Sequence, residues 1–232
     1  MDIFTGSFII MSTLGYLIPS GIFHFCRKYN TKNIIQKNKE QKIIDIKREI
    51  KLSFQTITIW SLMNVYSTEL IFNGHTKIFF DIEEASFFYN VTSFLLCFII
   101  HDTYFYWFHR LMHHKYLYKY THKGHHLSVT PTPWAALSFQ PGEAIIQYFQ
   151  FSIIPFMIYV NIYVFLLYLF LDVIINTAGH SGYELVDERI SKNKYLKYLN
   201  TVKHHDDHHT KFNKNFGAFF NIWDRICDTY SE

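Results

Sequence analysis

Apolar segments alternate with short polar ones along most of the chain. About 20 helical residues cross a bilayer core of about 30 Å. Five apolar segments approach or reach that length: 3–26, 52–73, 86–108, 143–159 and 161–177. The second segment is less apolar than the others. The last two are joined by only a residue or so, as in a helical hairpin. The pattern predicts an all-α, polytopic membrane protein with four to five transmembrane helices.

Charged residues predict how these segments are oriented across the membrane. Residues 27–51 contain nine Lys or Arg and three acidic residues, and the positive-inside rule places such a segment in the cytoplasm. An acidic loop at 81–84 then lies on the far side. If 52–73 is instead a soluble or interfacial helix, the N-terminus changes sides. In both layouts the histidine-rich stretches stay together on one side, and we expect them to form a cytoplasmic helical cap.

Composition and length exclude several classes of protein. The 232 residues form one structural unit, with membrane anchors and a basic linker at 1–85 and a histidine-rich region at 86–232. The net charge is only +3 and basic residues are mixed with acidic ones, so nucleic acid is not an expected partner. The three cysteines are far apart, and no disulfide is expected. Because the N-terminus lacks a basic n-region and a cleavage site, it is predicted to be an anchor rather than a signal peptide.

Histidines are concentrated in two windows. Ten of the fourteen lie at 109–126 and 204–209. Residues three and four apart share a helix face, so within each window the imidazoles project together. Neutral imidazole binds iron, zinc, copper and nickel, and eight or more exceed the coordination number of one ion. Although one His pair is usually a surface or core feature, several clusters on one membrane face would repel one another without a metal. The windows therefore predict two metal ions.

For other polar residues near the clusters, the sequence indicates a role less clearly. Asp102 lies about two turns before the first cluster, where a functional role and a helix-packing hydrogen bond are equally compatible with its position. Asp206 and Asp207 could accept the free ring N–H of ligating histidines. His114 and His204 point off the cluster faces, as second-shell or surface groups do. Three further histidines stand apart and receive no ligand role: His24, His75 and His101.

At these residues the sequence resembles the fatty acid hydroxylase and sterol desaturase superfamily. The shared pattern is H-x3-H, then H-x2-H-H, then a lone His after a membrane hairpin, then H-x2-H-H. Flanking matches include HSGYE at 180–184 and NFGAFFNIWDR at 215–225, and the similarity spans about 101–230. The resemblance implies that nine histidines bind a di-iron pair: His109, His113, His122, His125, His126, His180, His205, His208 and His209.

The chain departs from the superfamily pattern at a few positions. Asn176 stands where some relatives have a histidine, so it binds a metal through its amide oxygen, binds through water, or does not bind. With Asp206 it is a candidate ligand or second-shell group. Gln140 replaces the histidine of a His-Pro pair, and Cys227-Asp228 replaces Phe-Gly. None of these changes removes a histidine box.

The resemblance also implies an activity and its partners. The expected reaction is an O2-dependent hydroxylation or desaturation of a sterol, acyl or sphingoid chain in the endoplasmic reticulum, with the active site facing the cytoplasm. Two iron ions are the expected cofactor, and zinc can substitute because imidazole sites accept it. The chain shows neither a GxGxxG motif nor a haem domain, so an external electron donor such as cytochrome b5 or its reductase is implied. The alternatives are a membrane metal-binding or transport protein and an inactive scaffold relative.

Overall fold

A computed structural model of the chain describes residues 3–29, 33–36, 41–187 and 193–232. Part of the predicted basic linker, at 30–32 and 37–40, lies outside these ranges. Within them the structure is mostly helical. The long elements are α1 (Ile3–Tyr29), α2 (Ile43–Phe72), α3 (Phe87–Met112), α6 (Pro141–Ser152) with its short continuation α7 (Ile154–Met157), and α8 (Ile162–Gly179). The short helices are α4 (Tyr118–Thr121), α5 (Lys123–His126), α9 (Val202–Lys211) and α10 (Ile222–Ile226).

Three helices in the described part are long and apolar enough to cross a membrane: Phe8–Tyr29, Phe87–Met112 and Ile162–Gly179. Their apolar side chains largely point outward, and Phe87 and Phe170 are 75% and 60% exposed. Exposed apolar surface of this extent is typical of contact with lipid. Of the four to five expected spans, three meet the limits of length and composition in the described part of the chain. The polar residues along α2 and the break before α7 keep the other two segments below the limit.

Helix α2 begins well before the apolar segment predicted at 52. Its first turns come from the basic segment and are held by tertiary contacts. Thr132 donates a hydrogen bond to the buried carboxylate of Glu49, and Arg48 donates one to Ser128. Burial raises the pKa of Glu49 to about 7. The second half of the predicted linker is therefore part of the folded unit.

A two-stranded parallel sheet departs from the purely helical prediction. Strand β1 (Ile78–Phe79) pairs with β2 (Val160–Asn161), with Ile78 opposite Val160. It joins the loop before α3 to the predicted hairpin turn before α8. Because α3 and α8 both start at this sheet, they run in the same direction and both end at the histidines. Two buried clusters pack the bundle, one around Tyr16 and Ile57 and the other around Cys97 and Tyr168.

Candidate metal centre

Four elements deliver the histidines to one place. Helix α3 ends in His109 and His113, the residues around α5 supply three imidazoles, His180 follows the last turn of α8, and α9 supplies the remainder. The nine imidazoles that the sequence pattern selected form two groups in which the nitrogens lie within 4.8 Å of one another. The first group contains His109, His113, His122, His126 and His208, and the second contains His125, His180, His205 and His209.

In the first group the Nε2 atoms converge. The Nε2 of His126 lies 3.1 Å from that of His113 and 3.0 Å from that of His208. The Nε2 atoms of His109 and His122 are 2.9 Å apart. The group draws on three separate elements, and only His113 in it is not fully buried.

The second group has the same character. The Nε2 of His205 lies 2.9 Å from that of His180 and 3.2 Å from that of His209. The Nε2 atoms of His180 and His125 are 3.5 Å apart. The two groups are neighbours, because the rings of His126 and His209, one from each group, have centroids 4.9 Å apart.

These separations fit nitrogens that share a metal ion. Two nitrogens bonded at about 2.1 Å to one ion lie about 3.0 Å apart at a right angle and about 3.4 Å apart at a tetrahedral angle. Without an ion, lone pairs aimed at one another at such distances would be unfavourable. The donor set is all imidazole, which suits iron and also zinc. Each group therefore fits one transition-metal ion.

The outer ring nitrogens of several histidines are fixed by oxygen acceptors. His109 Nδ1 lies 2.8 Å from the carbonyl of Phe216, and His208 Nδ1 lies 2.7 Å from that of Lys214. In the second group His180 Nδ1 lies 2.8 Å from the carbonyl of Asn176. Since a carbonyl only accepts, Nδ1 carries the proton and Nε2 presents its lone pair to the centre. Metal-binding histidines are commonly oriented in this way.

For His122 the acceptor is a side chain, the carboxylate of Glu143. Its Oε1 lies 2.6 Å from His122 Nδ1, and both side chains are buried. The sequence reading did not select this residue, although a signal was present. Glu143, Gln147 and Gln150 recur at helical spacing on one face of an otherwise apolar segment. Burial of such a polar stripe requires partners.

Burial keeps the imidazoles neutral. Removal from water lowers the pKa of His113 to about 3, with a further contribution from His208 nearby. Burial likewise lowers the pKa of His180 and of His208 to about 4. Because a metal binds the unprotonated ring, these groups are ready for a cation at neutral pH.

Two aspartates hold the loop that carries Phe216. Asp102 Oδ1 accepts hydrogen bonds of 2.7–3.1 Å from the three amides of 218–220. Asp224 accepts one of 2.9 Å from the amide of Phe216. Two roles were left open for Asp102, and the structure shows the packing hydrogen bond. The hydrogen bonds go to a loop and not to another helix. That loop in turn positions the carbonyl facing His109.

Each of the two candidate ligand or second-shell residues makes a side-chain hydrogen bond to another part of the chain. Asn176 donates from Nδ2 to the carbonyl of Ala136 at 2.8 Å and touches His180 through its main-chain oxygen. Asp206 Oδ1 accepts a hydrogen bond of 2.6 Å from Gln36, which ties α9 to the segment after α1.

The remaining polar neighbours have other partners. Asp207, which could accept a ring N–H by its position in the sequence, pairs with Lys203 and Lys211. His114 is an exposed surface residue. His204 caps the start of α9 by contacting Thr201, and its other nitrogen lies 3.2 Å from the hydroxyl of Tyr230. His24, His75 and His101 lie outside both groups, as expected.

A cavity of about 350 Å³ opens beside the histidines. Histidines of both groups line it, and its other walls are largely apolar, with Phe105 from α3, Phe139 and Ile175 among them. Helices α1 and α2 contribute Phe23 and Trp60. Such a space accepts an apolar molecule and brings it against the imidazoles.

Comparisons with known proteins agree with this geometry. The family model described as fatty acid hydroxylase matches residues 94–229. The lathosterol oxidase of Homo sapiens is 29% identical over 230 residues, which cover 97% of this chain and 74% of that protein. A Delta(7)-sterol 5(6)-desaturase of Gibberella zeae is 32% identical over 183 residues, covering 77% and 55% of the two chains. No solved structure gives a significant match.

The family match includes all four histidine-bearing elements and the loop that Asp102 holds. The three candidate spans and these relatives make the chain an integral membrane protein, and their names describe oxidoreductases. With its buried histidine groups, the chain is a membrane oxidoreductase of the lipid-modifying class, and it belongs to the fatty acid hydroxylase family.

Proposed function

We propose that the chain is a di-iron, O2-dependent oxidase that introduces a double bond into the ring system of a sterol. The observation that carries the proposal is the pair of buried histidine groups at one end of a largely apolar cavity. The substrate class is supported by relatives named lathosterol oxidase and Delta(7)-sterol 5(6)-desaturase. Hydroxylation of the same carbon framework is the closest alternative outcome.

The two groups would each hold one iron ion, with five imidazoles at the first and four at the second. When bound, the iron pair supplies activation of O2 and removal of hydrogen from an unactivated carbon. The oxygens around Nδ1, above all the carboxylate of Glu143, keep the ligand nitrogens unprotonated and correctly turned. The cavity walls exclude water and hold the lipid against the centre.

Desaturation requires electrons from outside the chain. Two hydrogen atoms leave the substrate, and O2 is reduced to two water molecules with two further electrons and two protons. Cytochrome b5 or its reductase is the proposed donor, docking on the histidine-bearing end of the bundle. Lys115, Lys119 and Lys123 are exposed there and would attract an acidic partner.

We propose that the protein lies in the endoplasmic reticulum membrane. The histidine-bearing end of the bundle then faces the cytoplasm as a histidine-rich cap. The basic residues at the end of α1 and at the start of α2 lie at this end, and the sheet of β1 and β2 lies at the other. In this arrangement α2 and the α6–α7 segment accompany the three apolar helices, giving four to five spans. We place the catalytic domain at 86–232, with 1–85 as anchors that also contribute a wall of the cavity.

Substitution of one histidine from each group tests the proposal. Membranes containing the full chain are supplied with lathosterol and an electron donor, and the sterol products are identified by mass spectrometry. His208→Ala and His125→Ala should each abolish turnover and lower the iron content of the purified protein from two ions per chain. His114→Ala, at an exposed position one residue from a ligand, should retain both.

Full turnover in either ligand variant, or wild-type protein that binds no iron, would overturn the proposal. If the wild type holds two irons and oxidises another lipid but not lathosterol, the di-iron assignment stands and the sterol assignment fails.

A further inference from the structure

Polar side chains reappear in the cavity about two helical turns away from the histidines. They come from three different helices: His101 from α3, Gln150 from α6 and Asp172 from α8. Their exposed fractions are 1%, 5% and 6%, and all three line the cavity. None of them belongs to a metal group, and the chemistry proposed above uses none of them. Polar residues at membrane depth are costly and mark functional sites by default.

Helix packing accounts for only part of this polar cluster. His101 Nδ1 lies 2.6 Å from the hydroxyl of Tyr168, which satisfies both groups. Asp172 Oδ1 lies 3.7 Å from the same nitrogen, too far for a hydrogen bond. Gln150 Oε1 is buried and has no hydrogen-bond partner among the residues that the structure describes. The Gln150 oxygen therefore lacks a protein donor and the Asp172 carboxyl makes no hydrogen bond to His101, at a cost that a bound donor would remove.

We propose that Gln150 and Asp172, beside His101, bind the hydroxyl group of the lipid substrate. The inference rests on the proposed function, and it adds the part of the substrate that the protein recognises. A hydroxyl group donates to the glutamine or aspartate oxygen, and it is small enough to enter without bringing a charge into the bilayer. A charged head group is excluded because it would lose its hydration in a buried and largely apolar space. The hydrocarbon framework then contacts the apolar walls.

The position of the cluster defines where the hydroxyl lies on the substrate. His101 and His109 on α3 are eight residues apart, as are Asp172 and His180 on α8, and this separation is about 12 Å along a helix. A lipid held at the cluster reaches the histidines over this short distance. We therefore expect the oxidised carbon to lie within a few bonds of the hydroxyl oxygen and not at the far end of a long chain.

A sterol meets this requirement. Its 3-hydroxyl oxygen is three bonds from C5 and four bonds from C6. An acyl or sphingoid chain oxidised far from its polar end does not meet it. The polar cluster thus selects a hydroxylated ring lipid and directs a particular region of it to the histidines.

Equilibrium binding tests the inference without turnover. The purified full chain in detergent is titrated with radiolabelled lathosterol and with its 3-deoxy counterpart, cholest-7-ene. We expect the wild type to prefer the hydroxylated sterol about 10- to 100-fold, because the deoxy form leaves buried acceptors unpaired. In Gln150→Leu and Asp172→Leu the preference should fall to within about threefold, with unchanged iron content. Tyr148→Phe is the control, since Tyr148 is on the same helix but contacts Ser67, away from the cavity.

Equal binding of both sterols by the wild type would overturn the inference, as would a preference that survives in both leucine variants. A variant that fails to fold is replaced by Gln150→Glu or Asp172→Asn, which keep an acceptor and should keep the preference. If neither sterol binds, the same comparison is made with a long-chain alcohol and its alkane. A hydroxyl preference in that pair supports the polar cluster while the sterol assignment fails, and its absence in both pairs overturns the inference.

Discussion

Glu143 Oε1 lies 2.6 Å from His122 Nδ1 in a region where both side chains are buried. The contact joins the first turn of α6 to the five-histidine group. A carboxylate there keeps the proton of His122 on Nδ1, so that Nε2 faces the group, and it balances part of the charge of a bound cation. It is the side-chain counterpart of the carbonyls that hold His109, His180 and His208.

Replacement of Glu143 should therefore weaken metal binding more than folding. We expect Glu143→Ala to lose about 10- to 100-fold in iron affinity, the usual effect of removing a second-shell acceptor. Glu143→Gln retains an oxygen that can accept from His122 and should lose less. Iron retention against a graded chelator measures the difference. Wild-type retention by the alanine variant would show that the carboxylate has no orienting role.

Replacement of Asp102 should affect stability of the fold and not metal binding directly, because Asp102 holds a loop and does not contact a histidine ligand. Asp102→Ala leaves the amides of 218–220 buried without their acceptor and should destabilise the fold by about 3 kcal/mol. Asp102→Asn keeps Oδ1 and should cost less than half as much. Thermal unfolding of the purified protein in detergent gives the comparison. Equal melting temperatures for wild type and Asp102→Ala would contradict the assignment.

The metal-free protein should lose stability on mild acidification. An unfolded histidine has a pKa of about 6.5, whereas burial holds the folded pKa of His180 and His208 near 4 and that of His113 near 3. Between these values the unfolded chain binds more protons than the folded one. Stability is thus fully present above pH 6.5 and falls as the pH drops toward 4, by about 1.4 kcal/mol per pH unit for each group.

Unfolding of chelator-treated protein at pH 7 and pH 5 measures this effect. Iron-loaded protein should show its fall at a lower pH, because bound metal holds the rings unprotonated. A metal-free protein that is equally stable or more stable at pH 5 would contradict the expected protonation states.

Local patterns located the long helices but not all of their ends. The apolar segments at 86–108 and 161–177 correspond to Phe87–Met112 and Ile162–Gly179 within a few residues. Helix α2 starts at Ile43, in a segment whose charge indicates only a solvated linker. Its first turns are stabilised by contacts such as that of Glu49 with Thr132, more than eighty residues away in sequence. No local pattern contains that information.

The histidine pattern selected the imidazoles that converge, but not their division into two groups. His125 and His126 are adjacent and belong to different groups, because successive helical side chains point about 100° apart. Which group each joins depends on where α9 and the end of α8 lie. The role of Asp102 likewise depended on a loop more than a hundred residues away. Helical spacing alone does, however, place Glu143 and Gln150 on one face.

Gly124 lies in α5, between His122 and His125, and has no room for a side chain. A Cβ there would lie 2.6 Å from Cγ of Gln140, whose Oε1 accepts a hydrogen bond of 2.7 Å from the Gly124 amide. Gly124→Ala should displace Gln140 or α5, and α5 carries ligands of both metal groups. We expect lowered iron content and at least tenfold lower turnover, with the chain still inserted in the membrane.

The cause of that loss can be separated from a general effect of alanine. The atoms that block a Cβ at Gly124 belong to the side chain of Gln140 and not to backbone. Gln140→Ala in the same chain removes the obstruction and should restore most of the iron content. Gln140→Ala alone removes two hydrogen bonds, one of them at 3.5 Å, and should lose little. Metal analysis of the single and double variants decides the point. A double variant as poor in iron as Gly124→Ala would mean that α5 fails for a reason other than contact with Gln140.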